Sequence, residues 1–241
     1  MGPLIHLVES IQTHEALNNI FFQKWIASPL SIHQVSVFAR NYWEVTYKFP
    51  KVLALLIANV ANTCARAEYT KTLYSEMGNG NTKAVHSILF ERFCNDLFKC
   101  MGASDYLTIE KLKEDSSLLP ETQNLINGQI ELYTAQPSIA VGAQLALEWQ
   151  AYTMIRKLYD GAKNYSTLWP TEDSFHESCE FFYVHIGSAE KEHKKQALLA
   201  TERIIENDNL FLQMKHGFDK HLDLLAKFWN GIGNYGIHSS E

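Results

Sequence analysis

The stretch Ser138-Ile-Ala-Val-Gly-Ala-Gln-Leu-Ala-Leu-Glu148-Trp-Gln-Ala-Tyr-Thr-Met-Ile-Arg-Lys-Leu158 decides the fold class. It is rich in Ala and Leu and uncharged until Glu148, the composition of a helix buried on most of its sides. Working outward, the spacing stays helical. Pro137 parts this segment from a second helix over Glu121–Tyr133. In Pro29–Tyr47 the residues Ile32, Val35, Val37, Phe38, Tyr42, Trp43 and Val45 recur mostly at three- and four-residue intervals. Pro50 is expected to break that helix, with Val52–Val60 starting another. A helix from about Ala65 to Met77 runs into Gly78-Asn79-Gly80-Asn81, residues that tolerate positive φ. The next carries Val85, Ile88, Leu89, Phe93, Leu97 and Phe98 and ends near Gly102. Downstream, Pro170-Thr171-Glu172-Asp173 reads as a stop and an N-cap for a helix over Ser174–Asn207. Asp208 or Asn209 then caps a last helix, Leu210–Gly231, closed by Gly231-Ile-Gly233 and followed by a frayed His-Ser-Ser-Glu tail. No segment alternates with a period of two over six or more residues, and neither a Ser/Gly/Pro-rich linker nor an internal repeat interrupts the chain. The expectation is one all-α domain of seven or more helices spanning residues 1–241.

Composition narrows the function classes. The chain has 241 residues, 46% hydrophobic, enough for a sizeable core. Lys plus Arg number 21 against 27 Asp plus Glu, a formal charge of −6, which argues against a nucleic-acid partner. No run of eighteen apolar residues suggests a membrane span, and residues 1–30 lack the order of a secretory signal. The four cysteines, Cys64, Cys94, Cys100 and Cys179, form no CxxC and read as buried free thiols of a cytoplasmic protein.

Three segments set metal-ligand residue types among apolar helical stretches. Glu76-Met-Gly-Asn-Gly-Asn-Thr-Lys-Ala-Val-His86 puts a carboxylate at one helix end and an imidazole at the start of the next, with a Gly-rich corner between. Glu148 lies mid-helix, where an unpaired carboxylate costs several kcal/mol of desolvation. Phe181-Phe-Tyr-Val-His185-Ile-Gly-Ser-Ala-Glu190-Lys-Glu192-His193 holds two imidazoles and two carboxylates within three turns. Each has a structural alternative: a surface Glu, a hydrogen-bonded His, a buried ion pair of Glu148 with an Arg, a solvated charged face made by Lys191, Lys194 and Lys195 with Glu190 and Glu192. Together they supply three histidines and, taking one of Glu190 and Glu192, three carboxylates on facing helices. A carboxylate-bridged pair of iron or manganese ions needs that set, with positions left for O2. His216 and His221, five apart on the last helix, read as surface or packing residues. Nothing resembles a Ser/His/Asp constellation, a phosphate loop or a dinucleotide fingerprint, and Cys94 and Cys100 read as core.

The order of these motifs resembles the haem-oxygenase-like dimetal oxidases, and within them the CADD-like group, named after the chlamydial protein associating with death domains. Phe21-Phe22-Gln-Lys24-Trp25 looks like that group's first-helix segment, and Asn41-Tyr42-Trp43 with Lys48-Phe49-Pro50-Lys51 like its second. Glu76 to His86 matches Glu-x-Gly-x-Gly…His, Glu148 matches the central-helix carboxylate, and Phe-Phe-x-x-His matches the entry to the last ligand helix. The likeness covers nearly the whole chain, and the ordered Glu/His, Glu, His…His set is its specific part. It implies a haem-oxygenase-like bundle in which Glu76, His86, Glu148, His185 and His193 hold two Fe(II)/Fe(III) ions, or Mn, with O2 as co-substrate. Glu148 would bridge the ions, and Tyr42 would line the reaction pocket. Trp43, Trp149, Phe181 and Tyr183 would keep it dry.

Two departures matter. The family reads His-x-x-x-Asp-x-x-His, whereas this chain has His185, Glu190 and His193 at i, i+5 and i+8, about 140° and 80° off His185 on a regular helix. A π-bulge near Gly187–Ala189, with Glu190 as the sixth ligand, is the reading adopted. Its rival is a regular helix in which Glu192 takes that place. Chlamydial relatives also carry tyrosines where this chain has Phe22 and Leu147, so activities that consume a protein tyrosine do not carry over. The expected function is an O2-activating dimetal oxidase or oxygenase acting on a small organic substrate such as an amino acid, amine or fatty acid, in a chain free to form a homodimer. The alternatives are a metal-free enzyme like thiaminase II, which needs a pocket-facing nucleophilic cysteine, or like pyrroloquinoline quinone synthase, and a non-catalytic death-domain-type interaction protein. All depends on the imidazoles of His86 and His185 lying close together and away from solvent.

Overall fold

The structure, a computed structural model, describes residues 2–235 apart from 104, 106 and 116; at residue 2 and residues 188–191 it describes the backbone alone. Among the described residues there are α-helices and short 3-10 turns and no strand. Three short helices lie outside the periodicity reading: α1 (Gly2–Glu9), α2 (Ile20–Ala27) and α6 (Ile109–Asp115). None of the described helices is long and apolar enough to cross a membrane.

α3 (Ile32–Asn59) corrects the expected break at Pro50, which lies inside one continuous helix. Proline there deprives the Thr46 carbonyl of its intrahelical donor. The buried residues on either side, Phe49, Val52, Leu53 and Leu56, hold the helix through tertiary packing instead. Ser31 caps its start in a reciprocal box with Gln34. α4 (Thr63–Glu76) and α5 (His86–Cys100) flank the Gly-rich corner, as the spacing indicates. α7 (Pro120–Thr134) and α8 (Pro137–Ala162) follow the expected bounds within a few residues, each with Pro in its first turn.

The single helix expected over Ser174–Asn207 is three: α9 (Glu172–Ser178), α10 (Glu180–Ile186) and α11 (Ser188–Glu202). Thr171 caps the first, as the Pro-Thr-Glu-Asp signal indicates. The expected π-bulge is absent, because Gly187 ends α10 with ψ −148°, far from a helical value. α12 (Asp208–Asn234) is capped by Asn207 rather than by Asp208 or Asn209, and Gly231 and Gly233 lie within it instead of closing it. The His-Ser-Ser-Glu tail falls outside the described residues.

α8 is the central element, packed against α2, α7, α10, α11 and α12. It crosses α12 at reciprocal glycines. A Cβ on Gly142 would lie 2.0 Å from the Met214 carbonyl oxygen, and one on Gly217 2.0 Å from that of Ile139. The two backbones therefore touch without intervening side chains, bringing the polar face of α8 close to the aromatic face of α12.

Candidate metal centre

Glu76 is the last residue of α4 and His86 the first of α5, each at the helix end its charge disfavours. Local helix electrostatics does not account for them; their mutual contact does. The ring nitrogen His86 Nδ1 lies 2.8 Å from Glu76 Oε2, and both residues are buried. The corner between them requires glycine at 78, where φ is +73° and a Cβ would stand 2.6 Å from the Ala84 carbonyl carbon. Burial pushes the Glu76 carboxyl up, but the charge and hydrogen bond of His86, with His185 and His193 nearby, more than reverse this and hold it at about 2. His86 is the mirror case: burial pushes its imidazole down, and Glu76 raises it above the usual value.

His185, on α10, completes this group. Its ring centroid is 4.3 Å from that of His86, and both side chains are turned away from solvent, at 8% and 6% exposure. Its Nδ1 donates to the Phe181 carbonyl at 2.7 Å. A carbonyl can only accept, so Nε2 carries the free lone pair that a metal ligand needs. Burial, and then the positive charge of His86, push its pKa down to about 3, which keeps it neutral. One donor atom each from Glu76, His86 and His185 falls within 4.8 Å of the others.

The second group is Glu148 and His193. Glu148 is 2% exposed, midway along α8; its Oε1 accepts from Gln144 Nε2, and its Oε2 lies 3.7 Å from His193 Nδ1. The ion-pair partner shown for Glu148 among the described residues is His193 rather than an arginine. His193 lies on α11, beyond the break at Gly187, and is 3% exposed. Beyond that break His193 faces inward, the part of the expected arrangement that the described residues show. The side chain of Glu190 is outside the described residues. Glu192 points outward, more than half exposed and 3.7 Å from Lys195, so the charged-face reading holds for that pair and the regular-helix rival does not.

Both groups adjoin a cavity of about 80 Å³ whose walls include Glu76, His86, Glu148 and His185. Tyr42 and Phe181 line it as expected, and Leu147 occupies the wall position beside Glu148. Trp43, Trp149 and Tyr183 do not; the aromatic lining comes instead from Phe49, Phe228 and Trp229. Trp43 stacks on Tyr47, and Tyr183 is exposed beside Tyr159 and His176. Of the four free thiols only Cys94 and Cys179 are buried, Cys64 being exposed and Cys100 half-buried. None of them lines the cavity, and burial pushes those of Cys94, Cys100 and Cys179 up, so the nucleophile a thiaminase II-like pocket needs is missing.

Sequence reasoning missed Gln144. Its Nε2 supports Glu148, while its Oε1 accepts from the Tyr133 hydroxyl. A lone amide one turn before a lone carboxylate in an apolar helix was the available signal. It also missed Gln150 and Trp229 on the cavity wall.

The donor set fits a first-row metal. Imidazole nitrogen with carboxylate oxygen suits iron or manganese, whereas a thiolate site for a softer ion would need cysteine. Residues 36–225 match the model of a family described as "Iron-containing redox enzyme". Among curated proteins none is significantly similar in sequence. Among solved structures, a CADD-like protein of unknown function from Nostoc punctiforme superposes with a TM-score of 0.75 at 15% identity, over 97% of this chain and 98% of that one. A TenA homolog from Pseudomonas syringae gives 0.74 at 15% identity, over 96% and 91%. A domain of unknown function with a haem-oxygenase-like fold from Shewanella denitrificans gives 0.65 at 14%, over 96% and 89%. The fold is therefore haem-oxygenase-like and all-α.

Proposed function

Because the chain belongs to the iron-containing redox enzyme family, we propose that it is a non-haem dimetal oxidase or oxygenase, diiron in the first instance, acting on a small organic molecule. The observation that carries this reading is the convergence of Glu76, His86 and His185 on one buried point. These three would hold one ion; Glu148 and His193, with an acidic residue of α11 for which Glu190 stands first, would hold the other. A metal pair in such ligands supplies redox chemistry with O2 that oxidises a C–H or N–H bond.

The side chains of this chain set the conditions. His185 is neutral and oriented by the Phe181 carbonyl, so its Nε2 is ready to ligate without losing a proton. Gln144 holds one Glu148 oxygen and leaves the other facing His193, so Glu148 would join His193 in holding the second ion. Tyr42, on α3 and in edge contact with Phe90 and Phe181, lines the cavity and would orient what lies against it. Phe49, Phe181, Phe228 and Trp229 exclude water and restrict oxidation to the molecule bound.

Anaerobic titration with Fe(II), followed by metal analysis, tests the reading. About two equivalents per chain are expected, and a transient visible chromophore on exposure to O2. Glu148→Ala is expected to remove binding of the second ion, which Glu148 would hold with His193. Wild-type protein that takes up no iron with all its candidate ligands intact would return the chain to the metal-free readings.

A further inference from the structure

Glu148 is tied to a chain of hydrogen bonds that starts outside the ligand set. Its Oε1 accepts from Gln144 Nε2 at 2.5 Å, and Gln144 Oε1 in turn accepts from the Tyr133 hydroxyl at 2.5 Å. Tyr133 lies in the last turn of α7, Gln144 and Glu148 are one turn apart on α8, and Tyr133 and Gln144 are both fully buried. Polar groups at that depth meet their hydrogen-bonding needs inside the protein or forfeit them. Chemistry fixes the direction of each bond. A carboxylate only accepts, so Gln144 must present its NH2 to Glu148, and its carbonyl oxygen is left for a donor. The phenol is that donor, and it keeps its proton because burial and the charge of Glu148 push its pKa well above the usual value.

Turning the amide over would set oxygen against a Glu148 oxygen and leave the Tyr133 proton without its acceptor. The two ends therefore hold the amide in one orientation. Joining α7 to α8 does not require this pair, since replacing both partners of a buried hydrogen bond by apolar groups of similar shape costs little. What the phenol and the amide add is an NH2 held against one Glu148 oxygen while the other, Oε2, stands 3.7 Å from His193 Nδ1. We propose that Tyr133 is a positioning residue for the second ion: through Gln144 it holds the Glu148 carboxylate in the orientation in which Glu148 and His193 meet one ion. The inference rests on the dimetal reading and extends it to a residue that does not line the cavity.

Anaerobic Fe(II) titration of the full-length chain, read as the affinity of each equivalent and paired with thermal melts, tests this on Tyr133→Phe, Gln144→Leu and the double variant. Tyr133→Phe is expected to weaken the second equivalent about tenfold and to leave the first, at Glu76, His86 and His185, within about twofold. Gln144→Leu should weaken the second at least as much. The double variant should hold the second ion no more weakly than Gln144→Leu alone, because Tyr133 acts only through the amide; independent effects would multiply. Melting separates this from lost packing. Tyr133→Phe leaves Gln144 Oε1 unpaired and should melt lower, whereas the double variant removes donor and acceptor together and should regain most of that loss without regaining the second ion. Losses that multiply in the double variant, equal weakening of both ions, or a second equivalent bound at wild-type affinity in Tyr133→Phe overturns the proposal. Should Tyr133→Phe not fold, the double variant decides, and wild-type affinity for the second ion there overturns it. A wild-type chain that takes up fewer than two ions fails the dimetal reading and this inference with it; one that takes up two, with variants that bind both as tightly, loses only this inference.

Discussion

His221 is enclosed on α12 with neither ring nitrogen bonded, and burial pushes its pKa down to about 3. The unfolded chain binds a proton there near pH 6.5 and the folded chain does not, so stability is whole above that pH and declines as pH falls toward 3. At pH 5 the loss relative to neutral pH comes to about 2 kcal/mol from this residue. His221→Phe is expected to flatten the acid side of a stability–pH profile, as measured by urea unfolding at pH 5 and pH 7.5. Sequence spacing read His221 as surface or packing and could go no further, because burial at one helical position depends on which helix lies opposite. Glu76, His86, Glu148 and His185 were legible for a different reason. Ionisable side chains in apolar helical surroundings are expensive unless they meet one another, and here they do.

At the scale of elements, the chain's punctuation was easier to locate than to weigh. Glycine with positive φ between α4 and α5 was marked by Gly78-Asn79-Gly80-Asn81, and the structure places left-handed residues there. Gly78→Ala is expected to destabilise the fold by about 2 kcal/mol through a strained φ and a backbone clash. It should also separate Glu76 from His86, weakening iron uptake in the fraction that still folds; thermal melts and metal titration read the two effects apart. Pro50 misled in the other direction, because flanking core residues outweigh one missing hydrogen bond inside α3. Gly187 misled through spacing alone. An extra residue between two ligands can be absorbed by a bulge or by a break, and nothing local in the sequence distinguishes them. The break won.

Across the whole molecule the tightest constraint is the crossing of α8 and α12. Gly217→Ala puts a methyl 2.0 Å from a carbonyl oxygen of the facing backbone, which no side-chain rotation relieves. The expected cost is about 3 kcal/mol, seen as a lower urea midpoint, with widening of the cavity between these helices. The helical class was readable from periodicity, but this contact was not, since pairing of distant glycines leaves no local signature. The candidate ligands have a wider reach still: Glu76, His86, Glu148, His185 and His193 come from α4, α5, α8, α10 and α11. During synthesis, no nascent chain ending before residue 193 can close that set. On the proposed reading, ion capture by the full set would wait until all five helices have come together, and the ion would tie those helices to one another.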